Sequence, residues 1–314
     1  MARIVTLTMN PALDIATTTD RVVPEHKLRC EAPRYDPGGG GINVARAVHA
    51  LGGDGLAIFP AGGSAGEMIR YLLGREGVAH QAVAIAGFTR ESLAVEERES
   101  GKQYRFLLPG PQIGPDDQER CLDALAAAAP AAEFIVASGS LPPGVPENFY
   151  ARVGTLAQEQ GKRLVLDTSG AALQQAGHGV YLLKPSLREL ESLTGRQISG
   201  AREELDAARH LVDEGRSEIV VVSLGAGGAL LVTAEQAERF PAIPVPAKST
   251  VGAGDSMLAG IVSGLTRGLT LREAVRLGIA AGAAALLGSG TQLCRREDVE
   301  RLYASARAEC APNR

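Results

Sequence analysis

A short stretch that could bind an anion, STVGAGDSMLAG, occupies residues 249–260. The apolar residues in its second half predict that a helix begins here. At the start of a helix, backbone N–H groups point outward and the aligned peptide dipoles favour negative charge. The N–H groups of Gly252, Ala253 and Gly254, hereafter the amide cluster, are therefore candidates for binding a phosphate group.

Asp255 follows the amide cluster directly and has two interpretations. A carboxylate in the first turn of a helix can simply cap it. A carboxylate beside an anion-binding site would compete with phosphate for the same N–H groups. Its position is explained if it accepts a proton from the group that attacks the phosphate. Glycines on both sides of Ala253 let a ligand approach the backbone closely, which favours phosphoryl transfer with Asp255 as the base.

Polar residues follow six predicted strands, at the position where ligands collect in open α/β sheets. These strands read IVTLT, GLAIF, EFIVAS, RLVLD, VYLLK and EIVVVS. The residues after them are Asn10 to Asp14, Gly62–Gly63, Ser138–Ser140, Asp167–Ser169, Lys184 and Ser223–Gly225. Each set alone consists of residue types that are common in turns, but the six sets together predict a binding site.

Helix-length segments separate these strands, which predicts an α/β sandwich with a mainly parallel central sheet. Three helices should follow, over about 253–266, 271–287 and 296–308. Two stretches, about 14–36 and 88–108, break the alternation, and the second reads as two short strands around a Ser-Gly turn. They predict a small β-sheet inserted as a lid within a single domain of residues 1–314.

The composition disfavours several classes of function. With a net charge of -4 and basic residues scattered among acidic ones, the chain offers no stripe for nucleic acid. No apolar run reaches the length that spans a bilayer, so we expect a cytoplasmic protein without a membrane partner. The cysteines, at 30, 121, 294 and 310, and the five histidines lack metal-ligand spacing, so neither a structural zinc nor a disulfide framework is expected.

Two familiar nucleotide-binding motifs are missing, because both Gly-Lys pairs lack the Ser or Thr of a P-loop and no G-x-G-x-x-G motif is found. Residues 62–66 do match the G-x-S-x-G turn of serine hydrolases, with Ser64 as the nucleophile. That alternative also needs an Asp and a His, and His178 and His210 stand in no recognisable motif. A helix-entry turn is the favoured interpretation of Ser64.

Together with PGGGGINVARAVHALGG at 37–53, these features make the chain resemble the ribokinase-like, or PfkB, carbohydrate kinase family. The resemblance runs nearly end to end, through TLTMNPALD, HKLRCEAP, FPAGG, QYRF, SGSLPPGV, VVVSLG and KSTVGAGDSM. It implies a ribokinase-like three-layer α/β/α sandwich with a β-sheet lid. It also implies a homodimer in which the lids of two subunits pair.

The activity implied by the resemblance is ATP-dependent phosphorylation of fructose 6-phosphate at O1, giving fructose 1,6-bisphosphate and ADP, as in glycolysis. Family members that act on tagatose 6-phosphate or fructose 1-phosphate usually carry a Lys within the glycine run, where this chain has Gly40. Those two substrates remain alternatives. A sugar-phosphate sensor that keeps the fold without catalysis is an alternative of another class.

Carried onto this sequence, the resemblance implies that Asp255 deprotonates the sugar O1 hydroxyl while the amide cluster stabilises the transferring phosphoryl group. The implied substrate residues are Asp14, Lys27, Arg29, Gly39, Gly40, Gly41, Asn43, Arg90 and Ser138. Lys27 and Arg90 match the family pattern for the sugar phosphate. For Arg29, a solvated position on the lid is an equal alternative.

The resemblance also implies ATP, Mg²⁺ bridging its phosphates, and K⁺. The implied ATP residues are Lys184, Ser186, Ser223, Gly225 and Gly228, with Glu189 holding Mg²⁺ through water. Relatives ligate potassium at positions that correspond to Ser249, Val251 and Ala285. Two departures from the family pattern affect these ions: KPSLRE places Ser186 where an Asn is usual, and Gly288 and Gln292 differ near the potassium loop.

Overall fold

The structure is a computed structural model that describes residues 3–288 and 290–309, so that Cys310 lies outside the described residues. Its strands are β1 Ile4–Leu7, β2 Ala12–Thr19, β3 Arg34–Gly38, β4 Gly55–Ala61, β5 Ala79–Ala84, β6 Arg90–Glu97, β7 Gln103–Leu107, β8 Phe134–Ser138, β9 Arg163–Asp167, β10 Val180–Leu183, β11 Ser217–Ser223, β12 Ala229–Val232 and β13 Ala237–Phe240. Its α-helices are α1 Gly40–Ala50, α2 Gly63–Glu76, α3 Pro115–Ala128, α4 Phe149–Glu159, α5 Gly170–Gln174, α6 Leu187–Thr194, α7 Ala201–Asp213, α8 Ala253–Thr266, α9 Leu271–Leu286 and α10 Arg296–Glu309.

The large sheet has nine strands in the order β13-β12-β11-β10-β9-β8-β1-β4-β5. Its pairs are parallel from β11 to β5, whereas β12 and β13 are antiparallel at one edge. Successive side chains of a strand point to opposite faces, so β11 sends Val220 and Val222 into one core and Ile219 and Val221 into the other. The prediction of a ribokinase-like α/β sandwich with a mainly parallel sheet is confirmed.

Helices cover both faces of the large sheet and form the outer two layers. The first core receives apolar residues from α3, α4 and α7, and the second receives them from α1, α8 and α9. Helices α8 and α9 pack closely because both are glycine-rich: a Cβ atom on Gly260 would lie 2.8 Å from the Cα atom of Gly278. This close contact fixes helix α8, at whose start the amide cluster lies.

The small sheet has four strands in the order β3-β2-β6-β7. Its two central strands, β2 and β6, are parallel, and its edge strands are antiparallel to them. The strands coincide with the two predicted inserts, except that β2 begins at Ala12 and β3 ends at Gly38, each about two residues outside the predicted 14–36. Asp14 is paired with Asp36 and Ser92, and the next residue, Ile15, is paired with Tyr35 and Leu93 on the opposite face.

Within the described ranges, no helix is both long enough and apolar enough to cross a membrane. Among the same residues, no group of three or more His, Cys, Asp or Glu could hold a metal ion by itself. Cys30 is an exposed free thiol, while Cys121 and Cys294 are buried free thiols.

Candidate active site

The amide cluster lies where helix α8 begins, beside the carboxyl ends of the parallel strands. Gly252 is the N-cap residue and has a φ of +73°, a left-handed conformation that favours glycine. Among residues 3–288 and 290–309, no side chain caps this helix start, and Ser256 N donates to Gly252 O at 2.8 Å. The N–H groups of the first turn therefore have no helical acceptor and can bind an anion.

Asp255 lies in the first turn of α8, and its Oδ2 atom accepts a hydrogen bond from Asn43 Nδ2 at 2.9 Å. Burial raises the pKa of Asp255 to about 6, and the negative charge of Asp167 acts in the same direction. The Asn43 hydrogen bond and the charge of Lys184 oppose this shift. A carboxylate with this pKa is ionised at neutral pH and can still be protonated during a reaction.

Lys184 and Asp167 form a buried ion pair beneath the start of α8. The Lys184 Nζ atom lies 3.1 Å from Asp167 Oδ2, and the two side chains are 5% and 15% exposed. Burial opposes the charge of Lys184, but the neighbouring carboxylates outweigh it, so the pKa of Lys184 lies above its ordinary value. A Cβ atom on Gly254 would lie 3.6 Å from Nζ, so a permanent positive charge adjoins the amide cluster.

The glycine run at 38–41 is hereafter called the sugar turn, after the ligand that the sequence resemblance implies for it. It contacts the ends of β1 and β8 so closely that side chains would not fit. A Cβ atom on Gly40 would lie 2.3 Å from Ser138 Oγ, and one on Gly41 would lie 2.6 Å from Thr8 Oγ1. Gly39 has a φ of +113°. The sugar turn thereby lies against Ser138, and Asn43 follows it on α1. These residues, all predicted for substrate binding, are therefore close together.

Asp14 on β2 faces the sugar turn, because a Cβ atom on Gly38 would lie 2.2 Å from Asp14 Oδ2. Burial raises the pKa of Asp14 to about 6, against the positive charges of Arg90 and Arg105. Arg90 donates hydrogen bonds to the backbone oxygens of Asn10 at 3.2 Å and Leu108 at 3.4 Å. Its Nε atom is buried and has no partner among the described residues, so Arg90 retains donor capacity.

Lys27, Arg29 and Arg105 are further cations of the small sheet and its loops. Lys27 and Arg29 are exposed between β2 and β3, and in the part of the chain that the structure describes neither side chain forms an ion pair. Sequence reasoning missed Arg105, which is on β7 and shares a sheet face with Arg90 through the pairing of β6. The QYRF stretch showed a cation in a predicted strand, but the sheet face on which Arg105 lies depends on strand register.

A cavity of about 720 Å³ opens beside the amide cluster. Three predicted nucleotide residues, Ser223, Gly225 and Gly228, line it, together with Ala253 and Gly254 of α8 and apolar residues of α9. Gly228 has a φ of +84°, and a Cβ atom there would lie 2.0 Å from the Phe240 backbone oxygen. A predominantly apolar cavity that ends at outward-pointing amides suits a planar base joined to phosphates.

Ser186 and Glu189 form a capping box at the start of α6. The Glu189 Oε2 atom accepts hydrogen bonds from Ser186 N at 2.7 Å and Ser186 Oγ at 2.8 Å. The backbone around Ser186 also pairs with Ser223 at the edge of the cavity. The structure thus gives these two residues a local structural role, and the predicted contact between Glu189 and Mg²⁺ remains a prediction.

The three residues predicted near potassium lie on neighbouring segments. Ser249 Oγ donates a hydrogen bond to the Gly290 backbone oxygen at 2.6 Å and accepts one from Val251 N at 3.2 Å. Lys248 N donates to the Leu286 backbone oxygen at 2.8 Å. This bond holds the 249–251 segment against the end of α9, where Ala285 lies.

Ser64 is exposed in the first turn of α2. In the described residues, no histidine forms a hydrogen bond with it. The nucleophile–base contact that a serine hydrolase requires is therefore not present in the structure. Ser64 begins a helix, as its favoured interpretation predicted.

An open amide cluster, an adjacent buried carboxylate and a cavity of nucleotide size are features expected of a small-molecule kinase with an α/β sandwich fold. Residues 7–298 match the family model described as pfkB family carbohydrate kinase, so the chain belongs to this family. A relative from Mycobacterium tuberculosis, ATP-dependent 6-phosphofructokinase isozyme 2, is 56% identical over 96% of this chain and 89% of its own.

Two solved structures of phosphofructokinase-2 from Escherichia coli are also similar. The complex with potassium has a TM-score of 0.93 and 44% identity, and the complex with fructose-6-phosphate has a TM-score of 0.91 and 42% identity. Each comparison covers 98% of this chain and 100% of the other. The family membership expected from the sequence motifs is confirmed.

Proposed function

We propose that this chain transfers the γ-phosphoryl group of ATP to O1 of fructose 6-phosphate, giving fructose 1,6-bisphosphate and ADP. The observation that carries the proposal is the position of Asp255, which lies between the sugar turn, the amide cluster and the cavity and is hydrogen-bonded to Asn43. The relatives named above support the choice of substrate. Because ATP is a metabolite of the cytoplasm, we propose that compartment for the reaction.

In the proposed reaction, the carboxylate of Asp255 accepts the O1 proton as O1 attacks the γ-phosphorus and ADP leaves. The amide cluster and Lys184 stabilise the charge on the transferring group. Asp14, Asn43, Ser138 and the backbone of Gly39–Gly41 bind the sugar hydroxyls. Arg90, Lys27 and Arg29 bind the 6-phosphate, and the small sheet acts as the lid of one domain.

ATP fits the cavity, with its base against α9 and its phosphates at the amide cluster and Lys184. Ser223, Gly225 and Gly228 line this path, and Ser186 is paired with Ser223 beside it. Glu189, whose Oε2 atom accepts two hydrogen bonds from Ser186, would hold a magnesium ion through water, and the ion would supply positive charge for the phosphates. Potassium would be held by oxygens of Ser249, Val251 and Ala285, and the complex of the Escherichia coli enzyme supports that ion.

The decisive experiment measures ADP release with fructose 6-phosphate, tagatose 6-phosphate, fructose 1-phosphate and free fructose. We expect the highest kcat/KM with fructose 6-phosphate. A higher value with either of the other phosphates would identify that substrate instead. Binding of sugar phosphates without ADP release would identify a sensor.

Replacing Arg90 with Ala should raise the KM for fructose 6-phosphate by roughly 10- to 150-fold, the cost of a charge-assisted hydrogen bond of about 1.5–3 kcal/mol. The KM for ATP should stay within a few-fold, because Arg90 lies at the sugar end of the site. Free fructose should be a poor substrate of the unaltered enzyme and no poorer for the variant. Steady-state kinetics with both sugars measures these constants.

A matched control is Arg98→Ala, since Arg98 directly follows β6 of the small sheet but pairs with Asp20 at 3.0 Å on the surface. Its kinetics should equal those of the unaltered enzyme. Equal losses on fructose and fructose 6-phosphate in Arg90→Ala would mean that Arg90 supports the sheet and does not contact the phosphate.

We also propose that two copies of the chain pair through the small sheet. Tyr35, Ile15, Leu93 and Phe106 form a row across the sheet on the face opposite Asp14. Tyr35 is 41% exposed, Leu93 37% and Phe106 52%, so the row presents apolar surface to solvent. Burial of such a row against a second copy is favourable, and a small sheet is marginally stable alone.

Phe106→Asp should therefore shift the protein from dimer towards monomer, because a carboxylate at the β7 end of the apolar row would have to be desolvated. Mass measurement in solution across a concentration series tests this. The control is Tyr71→Asp, at a residue on α2 that is 59% exposed and far from the row in sequence. An unchanged mass for Phe106→Asp, or equal shifts for both variants, would contradict the proposed interface.

A further inference from the structure

Residues 290–294, hereafter the bridging loop, contact both halves of the site. Gly290 lies against the small sheet, since a Cβ atom on it would be 3.6 Å from the Ala16 Cβ atom. Leu293 packs against the start of α8, where a Cβ atom on Gly252 would lie 2.6 Å from Leu293 Cδ2. The loop is thus the place where the sugar side and the nucleotide side of the site meet.

One buried hydrogen bond joins this loop to strand β3. Thr291 Oγ1 donates to Asp36 Oδ2, and the two residues are 8% and 4% exposed. The other carboxylate oxygen, Oδ1, accepts from Arg34 Nη2 at 2.7 Å and lies 3.6 Å from Arg46 Nη2. Because a buried carboxylate needs all of these partners, Asp36 is held in one orientation.

Asp36 in turn is tied to the sugar turn, which begins two residues later. Arg46, beside Asp36, donates to the Pro37 backbone oxygen at 2.9 Å and to both oxygens of Glu76 at 2.7 Å. On the other side of the bridging loop, Ser249 connects the Gly290 oxygen to Val251 N, directly before the amide cluster. Hydrogen bonds, the ion pair of Arg46 with Asp36 and short backbone segments therefore connect the residues next to the sugar turn with those next to the start of α8.

We propose that Asp36 and Thr291 are positioning residues that set the sugar turn relative to the start of α8, so that O1 and the transferring phosphoryl group are aligned. The inference rests on the proposed function, and in it neither Asp36 nor Thr291 contacts the substrate. Loss of the bond would leave both substrates bound but poorly aligned. Misplacement by about 1 Å can cost about 10²-fold in rate.

The test is Thr291→Val, which keeps the shape of the side chain and removes the hydroxyl donor. We expect kcat for fructose 6-phosphate to fall by about tenfold or more, the scale of one hydrogen bond to a charged group, with each KM within about threefold. Thr291→Ser retains the donor and should restore most of kcat. A role limited to stability would lower the thermal midpoint and leave kcat unchanged at lower temperature.

The matched control is Thr233→Val. Thr233 is 6% exposed and its hydroxyl donates to Glu235 Oε2 at 3.1 Å in the turn between β12 and β13, at the opposite end of the strands from the site. It should lose stability without losing kcat. An unchanged kcat in Thr291→Val, an equal loss in Thr233→Val, or no rescue by Thr291→Ser would overturn the inference.

If the unaltered protein releases no ADP with any sugar phosphate, the proposed function fails, and a second measurement decides the inference. Amide hydrogen exchange of residues 249–256 should be faster in Thr291→Val than in the unaltered chain, because the bridging loop has lost its bond to β3. Unchanged exchange in this segment would overturn the inference independently of catalysis.

Discussion

Replacing Asp255 with Asn should lower kcat for fructose 6-phosphate by at least ~10²-fold, the usual scale for losing a positioned general base. Asn keeps the size of the side chain but cannot accept the O1 proton. The affinity for ATP should remain nearly unchanged, because the amide cluster and the cavity are intact. Rapid-quench measurement of single-turnover reactions gives the rate of phosphoryl transfer, and a nucleotide-binding measurement gives the affinity for ATP.

The pH profile gives an independent check on Asp255. Burial raises its pKa to about 6, and only the ionised form accepts a proton, so kcat should decline as the pH falls below about 6. Asp14 titrates in the same range, because burial raises its pKa to about 6 as well. Near-normal turnover in Asp255→Asn, with the same acid limb, would mean that Asp255 only stabilises the start of helix α8 and is not the base.

Lys184→Met should be the most destabilising of the changes considered, because it leaves Asp167 buried without its cation. Breaking a buried ion pair by removing one partner typically costs about 3–5 kcal/mol in the free energy of unfolding. Turnover should fall too, since the positive charge beside Gly254 is lost. The charge of Lys184 also lowers the pKa of Asp255, so the acid limb of the remaining activity should move to higher pH.

The double variant Lys184→Met with Asp167→Asn separates these effects. Removing the uncompensated carboxylate should recover much of the stability, as followed by denaturant unfolding, while turnover stays low. Recovery of full turnover along with stability would show that Lys184 acts only through folding.

The sequence predicted those features that depend on local pattern. Apolar periodicity placed helices α8 and α9 to within one residue, since long periodic segments carry the strongest signal. The edge strand β5, AHQAVA, was not predicted, because it is half-exposed and contains His and Gln. The short antiparallel strands β12 and β13 were not predicted either, since strands of four residues give little periodic signal.

Features that depend on strand order could not be predicted from pattern. Asp167 and Lys184 were both placed at the carboxyl ends of strands, but their ion pair requires β9 and β10 to be neighbours in the sheet. The bond between Asp36 and Thr291 joins residues 255 positions apart, which no local signal indicates. The open amide cluster, by contrast, follows from the glycines and helix start that the sequence shows.

The parallel pairing of β2 with β6 has a consequence for how the chain folds. Two parallel strands cannot be joined by a hairpin, so the connection between them must leave the small sheet and return. Here that connection includes α1, β4, α2 and β5, all of which belong to the main body. The pairs β2-β3 and β6-β7 join neighbours in sequence, so only the union of these two halves requires the intervening segment of the main body, and we expect the complete small sheet to form together with that segment.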